Sequence, residues 1–202
     1  MGADQRKLTG KLPVLIFETE RNNMDFLTPT YMFAHYYDIT PEFLTERGIQ
    51  GLLIDIDNTL APYEQPDPDQ RIRDWFDQLA EHGIKAALVS NNHAPRVERF
   101  NSTLGLIAYA DSGKPSKKTL IRAMDALGVS RRETAVLGDQ LLTDSFGGKK
   151  LGLPSIIVPP IHDKTNLFFR FKRLCERPFI RKYARRHGYE DYMRFWHVRE
   201  RK

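Results

Sequence analysis

Short apolar runs alternate with segments of helical character between Gly51 and Pro160. The apolar runs predict buried strands over 51–56, 85–90, 106–109, 134–137 and 155–158. The segments between them predict helices over 69–81, 95–104, 115–127 and 143–151. A glycine, which is a frequent stop signal, follows each of these helices before the next strand begins. This alternation predicts an α/β fold in which crossover helices connect the strands of a parallel sheet.

The two ends of the chain lack this alternation. Residues 29–31 predict a loop, and residues 39–49 predict a short helix that starts near Thr40. Beyond Pro160 the pattern becomes helical and basic, so we expect the sheet to end there and one to three helices to follow. The resulting organisation has three parts. They are an N-terminal segment over 1–50, an α/β core over 51–163 and a basic helical tail over 164–202.

The distribution of charge supports a separate tail. Residues 1–163 carry 18 Lys and Arg against 22 Asp and Glu, whereas residues 164–202 carry 13 against 4. A strongly basic tail on a slightly acidic body predicts an anionic partner, either a nucleic acid or a membrane surface.

Cysteine usage and hydropathy exclude several classes of protein. The single cysteine, Cys175, cannot form an intrachain disulfide framework or a cysteine-built zinc site. No apolar run approaches the roughly 20 residues that span a bilayer. We therefore expect a soluble cytoplasmic protein, with peripheral contact to an anionic membrane through residues 164–202 as an open alternative.

Polar side chains follow the predicted strands at the points where they end, and this is where ligands bind in parallel α/β sheets. The polar residues at these ends are Asp55, Asp57, Thr59, Ser90, Asn91, Lys114, Asp139 and Asp144. Crowded carboxylates repel unless a cation lies among them, and hard oxygen ligands suit Mg²⁺. Lys114 and Ser90 can then neutralise and hydrogen-bond phosphoryl oxygens. One carboxylate can attack phosphorus while another protonates the leaving alcohol.

The order and spacing of these residues resemble the four motifs of phosphatases of the haloacid dehalogenase (HAD) superfamily. The matching motifs are Asp55-x-Asp57-x-Thr59, Ser90, Lys114 and Gly138-Asp139-x4-Asp144. The resemblance implies a Rossmann-like HAD fold, with Asp55 as the nucleophile and Asp57 as the general acid and base. The phosphate-binding residues are then expected to be Thr59, Ser90, Asn91 and Lys114. The implied ligands of Mg²⁺ are the Asp55 side chain, the Asp57 backbone carbonyl and Asp139, with Asp144 in support.

Further segments between residues 27 and 172 are similar to the YqeG family. These cap-less, subclass III (HAD-IIIA) phosphatases are related to mitochondrial phosphatidylglycerophosphate phosphatases. The similar segments are 29–31, 38–39, 48–51, 54–62, 89–92, 114–115, 138–144 and 165–166. Only 24 residues separate Leu60 from Lys85 and only 21 separate Asn92 from Lys114, so neither interval holds a cap domain. The resemblance implies an enzyme of phospholipid metabolism, a phosphatidylglycerophosphatase.

Three interpretations of function remain open. The first is hydrolysis of a lipid phosphate, and the second is the same chemistry on another soluble or macromolecular phosphate. The third is a non-catalytic HAD module that binds RNA or a ribosomal particle through its basic tail. In that tail, an apolar stripe over 167–175 predicts a helix docked on the sheet. The residues that predict a basic amphipathic surface beyond it, for membrane or RNA, are Phe179, Arg181, Lys182, Tyr183, Arg185 and Arg186.

Overall fold

A single parallel sheet organises the chain. The computed structural model describes residues 27–162 and 167–187. The strands are β1 (Tyr31–Met32), β2 (Gly51–Ile54), β3 (Lys85–Val89), β4 (Ile107–Tyr109), β5 (Thr134–Gly138) and β6 (Ser155–Ile157). They pair in the order β1-β6-β5-β2-β3-β4, and every pairing is parallel. The predicted α/β fold with a parallel sheet is confirmed.

Helices connect these strands. They are α1 (Pro41–Glu46), α2 (Gln70–Glu81), α3 (Ala94–Asn101), α4 (Lys117–Leu127), α5 (Phe146–Lys149) and α6 (Leu167–Arg186). Asp69 caps α2 by accepting a hydrogen bond from the Ile72 backbone N–H at 2.9 Å. Gly128 ends α4 with a left-handed φ of 64°, which only glycine adopts at little cost. None of the helices in the described ranges combines the length and the hydropathy that a bilayer-spanning segment needs.

The edge strand β1 comes from the N-terminal segment, where the sequence predicted a loop. Tyr31 and Met32 pair with Ile156 and Ile157 of β6. Because the strand has only two residues, it shows none of the alternation that a strand prediction requires. The division of the chain into three parts stays a prediction, but the sheet itself draws on the first fifty residues.

The hydrophobic core lies on both faces of the sheet. Leu53 packs on one face with Leu120 and Met124 of α4. Ile54 packs on the opposite face in a cluster that includes Trp75 of α2. Successive residues of a strand point to opposite faces, so the continuous apolar run of β2 reflects a strand covered on both sides.

Helix α6 packs on the sheet through a different face from the one predicted. Ile180 and Tyr183 are buried against Met32 and against Ile157 of β6, and Phe179 packs beside them. Tyr183 therefore does not belong to the exposed basic surface that was predicted for it. Phe171 and Leu174, which were predicted to dock, are 64% and 58% exposed. The prediction was wrong because helical spacing allows two opposite stripes on α6 and the sequence does not tell which one docks. The side chains of Leu167 and Phe168 and the segment 165–166 lie outside the described residues.

Candidate active site

The carboxyl ends of three neighbouring strands bring the predicted residues together. Asp55 directly follows β2, and its backbone N–H donates to Leu137 O at 2.9 Å, which extends the strand pairing. Ser90 follows β3 and Asp139 follows β5. Parallel strands end at the same edge of a sheet, so side chains that are far apart in the chain meet at this edge.

Three of the predicted carboxylates form a buried cluster. Asp55, Asp139 and Asp144 each offer a ligand oxygen, and these atoms lie within 4.8 Å of one another. The Lys114 ammonium lies between two of them, 2.7 Å from Asp55 Oδ1 and 2.7 Å from Asp144 Oδ1. All four side chains are almost completely buried. The Asp57 side chain is not part of this cluster.

The protonation of this cluster reflects burial among like charges. Burial raises the pKa of Asp55 to about 8, Lys114 opposes the shift, and Asp144 and Asp139 add to it. Burial also raises the pKa of Asp139, against the influence of Arg173. Burial alone would lower the pKa of Lys114, but Asp144 and Asp55 outweigh it and raise that pKa, so the lysine stays charged. A divalent cation would favour the ionised carboxylates, and a buried set of hard oxygen donors fits such an ion.

A π-helical turn positions Asp144. The turn spans Leu141–Ser145 and precedes α5, where the sequence predicted an α-helix from residue 143. The Asp144 backbone N–H donates to Gln140 O at 3.0 Å, and the Gln140 N–H donates to Asp144 Oδ2 at 3.2 Å. The Asp144 carboxyl group lies directly over Gly138, where any Cβ atom would overlap it. This close approach explains the glycine before Asp139, and π-helical turns are frequent at functional sites.

The loop after β2 reverses the chain around Asp55. Asn58 has a left-handed φ of 65°, and its backbone N–H donates to Ala61 O at 2.8 Å. The Thr59 hydroxyl, which is buried, donates to Asp55 Oδ2 at 3.5 Å. Thr59 therefore supports the Asp55 carboxylate from behind and does not line the cavity described below.

Asp57 is oriented by two residues that the sequence analysis did not identify as site residues. Asn92 Nδ2 donates to Asp57 Oδ2 at 2.9 Å, and Arg96 Nε donates to Asp57 Oδ1 at 3.2 Å. Arg96 also donates to Pro66 O at 2.9 Å. An arginine in the first turn of α3 is unfavourable beside the positive end of the helix dipole. That unfavourable position is the sequence signal that could have pointed to Arg96.

Asn91 organises the loop that carries Lys114. Its Oδ1 accepts from the Lys114 backbone N–H at 2.8 Å and from the Ser112 hydroxyl at 2.7 Å. Its Nδ2 donates to Lys114 O at 3.1 Å. The Ser90 hydroxyl accepts from the Asn92 backbone N–H at 3.0 Å, so Ser90 also caps the turn after β3.

These residues surround an open cavity of about 230 Å³. Its lining consists of Asp55, Asp57, Tyr63, Ser90, Asn91, Asn92, Lys114, Gln140, Thr143 and Lys172. This volume is below the roughly 300–1,000 Å³ of pockets that enclose drug-sized ligands. Within residues 27–162, the connections from β2 to β3 and from β3 to β4 hold α2 and α3 and no cap domain. The cavity is therefore small and is not covered by a cap within that range.

Helix α6 contributes three charged residues that sequence reasoning did not place at the site. Lys172 lines the cavity, and its Nζ donates to Gln140 Oε1 at 2.8 Å. Arg173 donates to Asp139 O at 2.7 Å and forms an ion pair with Asp139 Oδ2. Glu176, which is 1% exposed, accepts from the Leu142 backbone N–H at 3.1 Å and pairs with Arg173 at 3.1 Å. An Arg and a Glu three residues apart were visible in the sequence, but nothing in the pattern linked them to Asp139.

Comparison with known proteins identifies the family. Residues 27–152 match the haloacid dehalogenase-like hydrolases. The chain is 37% identical over 155 residues to the probable phosphatase YqeG of Bacillus subtilis (strain 168), which covers 77% of this chain and 90% of that protein.

Two solved structures illustrate the more distant similarities. A putative subfamily III A HAD hydrolase from Legionella pneumophila is 21% identical with a TM-score of 0.43, and the match covers 58% of this chain and 71% of that one. The cobalt-bound deoxy-D-mannose-octulosonate 8-phosphate phosphatase YrbI from Haemophilus influenzae is 15% identical with a TM-score of 0.45, and covers 68% and 91%. The family match and the identity to YqeG are the stronger findings, and they show that this chain belongs to the haloacid dehalogenase-like hydrolases, as a phosphatase related to YqeG.

Proposed function

We propose that the protein is a Mg²⁺-dependent phosphomonoester hydrolase that works through an aspartyl-phosphate, with phosphatidylglycerophosphate as its leading substrate. The observation that carries the proposal is the buried cluster of Asp55, Asp139 and Asp144 around Lys114, beside Asp57 at the open cavity. Clustered buried carboxylates are costly to a fold, so their presence favours a catalytic site over a non-catalytic binding module.

In this proposal Asp55 is the nucleophile. Its carboxylate oxygen attacks phosphorus, and the bond from phosphorus to the alcohol oxygen breaks. Asp57 gives that oxygen a proton and later accepts one from the water that hydrolyses the aspartyl-phosphate. Asn92 and Arg96 hold the Asp57 carboxyl group at the cavity wall, which supports this role.

The cavity wall and the cation together would neutralise the negative charge of the phosphoryl group. Lys114, Ser90 and Asn91 bind phosphoryl oxygens, and Thr59 acts through Asp55. Mg²⁺ would be held by Asp55, the Asp57 backbone carbonyl and Asp139, with Asp144 in support, and would neutralise developing negative charge.

The open cavity and the basic tail together favour a lipid phosphate. Because residues 27–162 hold no cap domain, this part of the chain leaves the cavity accessible to a phosphomonoester that projects from a large body such as a bilayer. The exposed side of α6 presents Phe171 and Leu174 together with Arg181 and Arg185. An apolar and cationic surface of this kind suits the interface of an anionic membrane. We therefore place the protein in the cytoplasm with peripheral membrane contact through residues 164–202.

Phosphate release from phosphatidylglycerophosphate in mixed micelles tests this function. We expect Mg²⁺-dependent release that EDTA abolishes and that Asp55→Asn abolishes, whereas the exposed control Asp77→Asn keeps full activity. Hydrolysis of p-nitrophenyl phosphate without hydrolysis of the lipid would contradict the proposed lipid substrate but would support the proposed phosphatase mechanism.

The alternative function, a non-catalytic module that binds RNA, predicts a different result in the same experiments. Inactivity on both substrates, with RNA binding that falls steeply as salt rises, would replace the enzymatic proposal with a binding function.

A further inference from the structure

We infer that Phe171 and Leu174 insert into an anionic bilayer at the rim of the active site, so that the protein lies on the membrane with the carboxyl edge of its sheet toward the lipid. This orientation deepens the proposed membrane contact, because it names the side chains that enter the bilayer and the side of the protein that faces it. It rests on the proposed function for the substrate, which is then a phosphomonoester carried by the same bilayer.

Two exposed apolar side chains lie together on α6. Phe171 and Leu174 are 64% and 58% exposed, and no other large hydrophobic side chain in the described ranges is exposed. A single exposed leucine is ordinary on a protein surface, but these two residues stand three positions apart and therefore share one face of the helix. Transfer of such a pair from water into the acyl region of a bilayer is favourable.

The apolar pair lies at the end of α6 that contacts the active site. Lys172, which follows Phe171, lines the cavity, and Arg173 donates to the backbone oxygen of Asp139 at 2.7 Å. Consecutive residues of a helix are separated by only about 1.5 Å along its axis. The pair is therefore on the same turn as the residues that contact the site, at the carboxyl edge of the sheet. A bilayer that receives Phe171 and Leu174 meets the protein beside the cavity.

The exposed face of α6 continues away from the site as a cationic surface. Glu176 is the one acidic residue of α6, and it is buried on the opposite face. The exposed face is about 22 Å long at 1.5 Å per residue, which suits a helix that lies along a membrane surface. The exposed residues fall within an arc of about 140° on an ideal helix, and they are Phe171, Leu174, Pro178, Arg181, Lys182, Arg185 and Arg186.

The composition of this face favours a bilayer over RNA as the partner. Single-stranded RNA is bound by the stacking of bases on aromatic rings beside cations. Leu174 gives a base no ring to stack on, and the first exposed arginine, Arg181, stands two turns further along the helix. A bilayer offers an acyl region to the apolar pair and anionic headgroups to the cations, so it matches both ends of the face.

Sedimentation of the full chain with vesicles tests the apolar pair. The vesicles contain phosphatidylcholine alone, or phosphatidylcholine with phosphatidylglycerol as the anionic lipid, and no phosphomonoester. We expect wild type to bind the anionic vesicles. The double variant Phe171→Ser, Leu174→Ser should bind them at least about tenfold more weakly, because two apolar side chains no longer leave water. Both positions are exposed, so the variant should keep the Tm of wild type.

The cationic end of the face has its own variants and a control with the same change of charge. Arg181→Gln, Arg185→Gln should weaken binding to anionic vesicles about tenfold and reduce its dependence on salt. The control Arg131→Gln, Arg132→Gln removes two exposed cations just before β5, at the amino edge of the sheet. The control should bind within about twofold of wild type, because that edge faces away from the bilayer. Equal weakening by both double variants would overturn the orientation.

A fluorescent label measures the orientation directly. Cys175, the single cysteine, is replaced by serine, and a nitrobenzoxadiazole label is attached at Leu174→Cys or at the control position Arg131→Cys. On binding to anionic vesicles, we expect the emission of the label at position 174 to shift to the blue. Lipids that carry a nitroxide in the acyl region should quench that label and leave the label at position 131 unquenched. Equal quenching at the two positions, or none at position 174, would overturn the inference.

Turnover provides a further comparison between substrates. If the lipid phosphate is a substrate, Phe171→Ser, Leu174→Ser should lower the ratio of turnover of phosphatidylglycerophosphate in vesicles to turnover of p-nitrophenyl phosphate about tenfold. An unchanged ratio would mean that the apolar pair does not bring the enzyme to its substrate, and would overturn the inference.

The remaining outcomes separate this inference from the proposed function. Absence of wild-type binding to anionic vesicles overturns the inference, and so does binding that Phe171→Ser, Leu174→Ser leaves unchanged. Binding of RNA in place of vesicles, weakened by Arg181→Gln, Arg185→Gln, overturns it and assigns the face to a nucleic acid. Sedimentation and quenching need no turnover. Their selective loss in the variants therefore supports the orientation even if the lipid phosphate is not hydrolysed, in which case the proposed substrate alone fails.

Discussion

The carboxyl group of Asp57, the proposed general acid and base, is held on both of its oxygens. Its two carboxylate oxygens accept from different residues, Asn92 and Arg96, which lie in the loop after β3 and in α3. The Arg96 side chain is 14% exposed and that of Asp57 is 5% exposed, so solvent screens their ion pair only partly. A group that donates and accepts a proton during turnover needs a fixed direction, and Arg96 provides part of it.

Replacing Arg96 tests this positioning role. We expect Arg96→Met to lower kcat by about tenfold with little change in KM, because the Asp57 carboxyl group loses one of its two donors. Arg99→Met is a matched control on the same helix, since Arg99 pairs with Asp67 at an exposed position. The rate of the first step, the phosphorylation of Asp55, should fall less with p-nitrophenyl phosphate, whose leaving group needs no proton, than with an alkyl phosphate in rapid-mixing experiments. Equal losses on both esters, or equal effects of the two arginine variants, would contradict the role.

Helix α6 acts as a structural element of the active site because its docked face continues from the cavity to the core. Along that face, Arg173 and Glu176 contact the segment that carries Asp139 and Leu142. Further along, Ile180 and Tyr183 are buried. The opposite face, with Phe171 and Leu174, stays exposed. One face of the helix is therefore docked on the protein, and the opposite face is exposed to solvent.

Removing Glu176 tests whether α6 is docked through these contacts. Glu176→Ala leaves Arg173 without that carboxylate and leaves the Leu142 N–H without its acceptor. We expect a loss of about 3 kcal/mol in the free energy of unfolding. We also expect faster tryptic cleavage within α6, which is rich in Arg and Lys. The exposed control Glu98→Ala should change neither urea denaturation nor cleavage. A Glu176→Ala protein with the stability and cleavage rate of this control would show that the docking does not depend on Glu176.

The sequence predicted the elements that place Asp55, Ser90 and Asp139 because each follows a buried strand, and parallel strands end at one edge. It did not predict Arg96 or Arg173, because long side chains reach the site from helices and periodicity does not specify where their charged ends lie. Strand β1 escaped prediction because it is two residues long. The docked face of α6 was predicted wrongly because apolar residues occur on two sides of that helix.

At the scale of the whole molecule, stability is coupled to the ionisation of the buried carboxylates. The pKa of Asp55 is raised to about 8, and that of Asp139 is raised as well. Between the ordinary carboxyl pKa of about 4 and about 8, the folded protein without a cation therefore holds more protons than the unfolded chain. Stability must then fall as pH rises through this window. Cation binding needs ionised ligands, so stabilisation by Mg²⁺ grows through the same window.

Thermal unfolding across pH tests this coupling. In EDTA, we expect Tm to fall from about pH 5 to about pH 8, and the increase in Tm on adding Mg²⁺ to become larger over that range. Asp55→Asn removes one of the shifted carboxyl groups and should flatten both trends. If wild type and Asp55→Asn showed the same slopes, the ionisation of Asp55 would not be linked to folding.

The central claim is that Asp55 is the nucleophile and that Asp57 is the general acid and base. The measurement that tests it most directly is the first turnover of p-nitrophenyl phosphate by Asp57→Asn in the presence of Mg²⁺. The leaving group needs no proton, so Asp55 should still be phosphorylated, while hydrolysis of the aspartyl-phosphate should be slow. We predict a burst of p-nitrophenolate stoichiometric with protein, absent from the Asp55→Asn, Asp57→Asn double variant. A burst that persists in the double variant, or no burst from Asp57→Asn alone, would contradict the account.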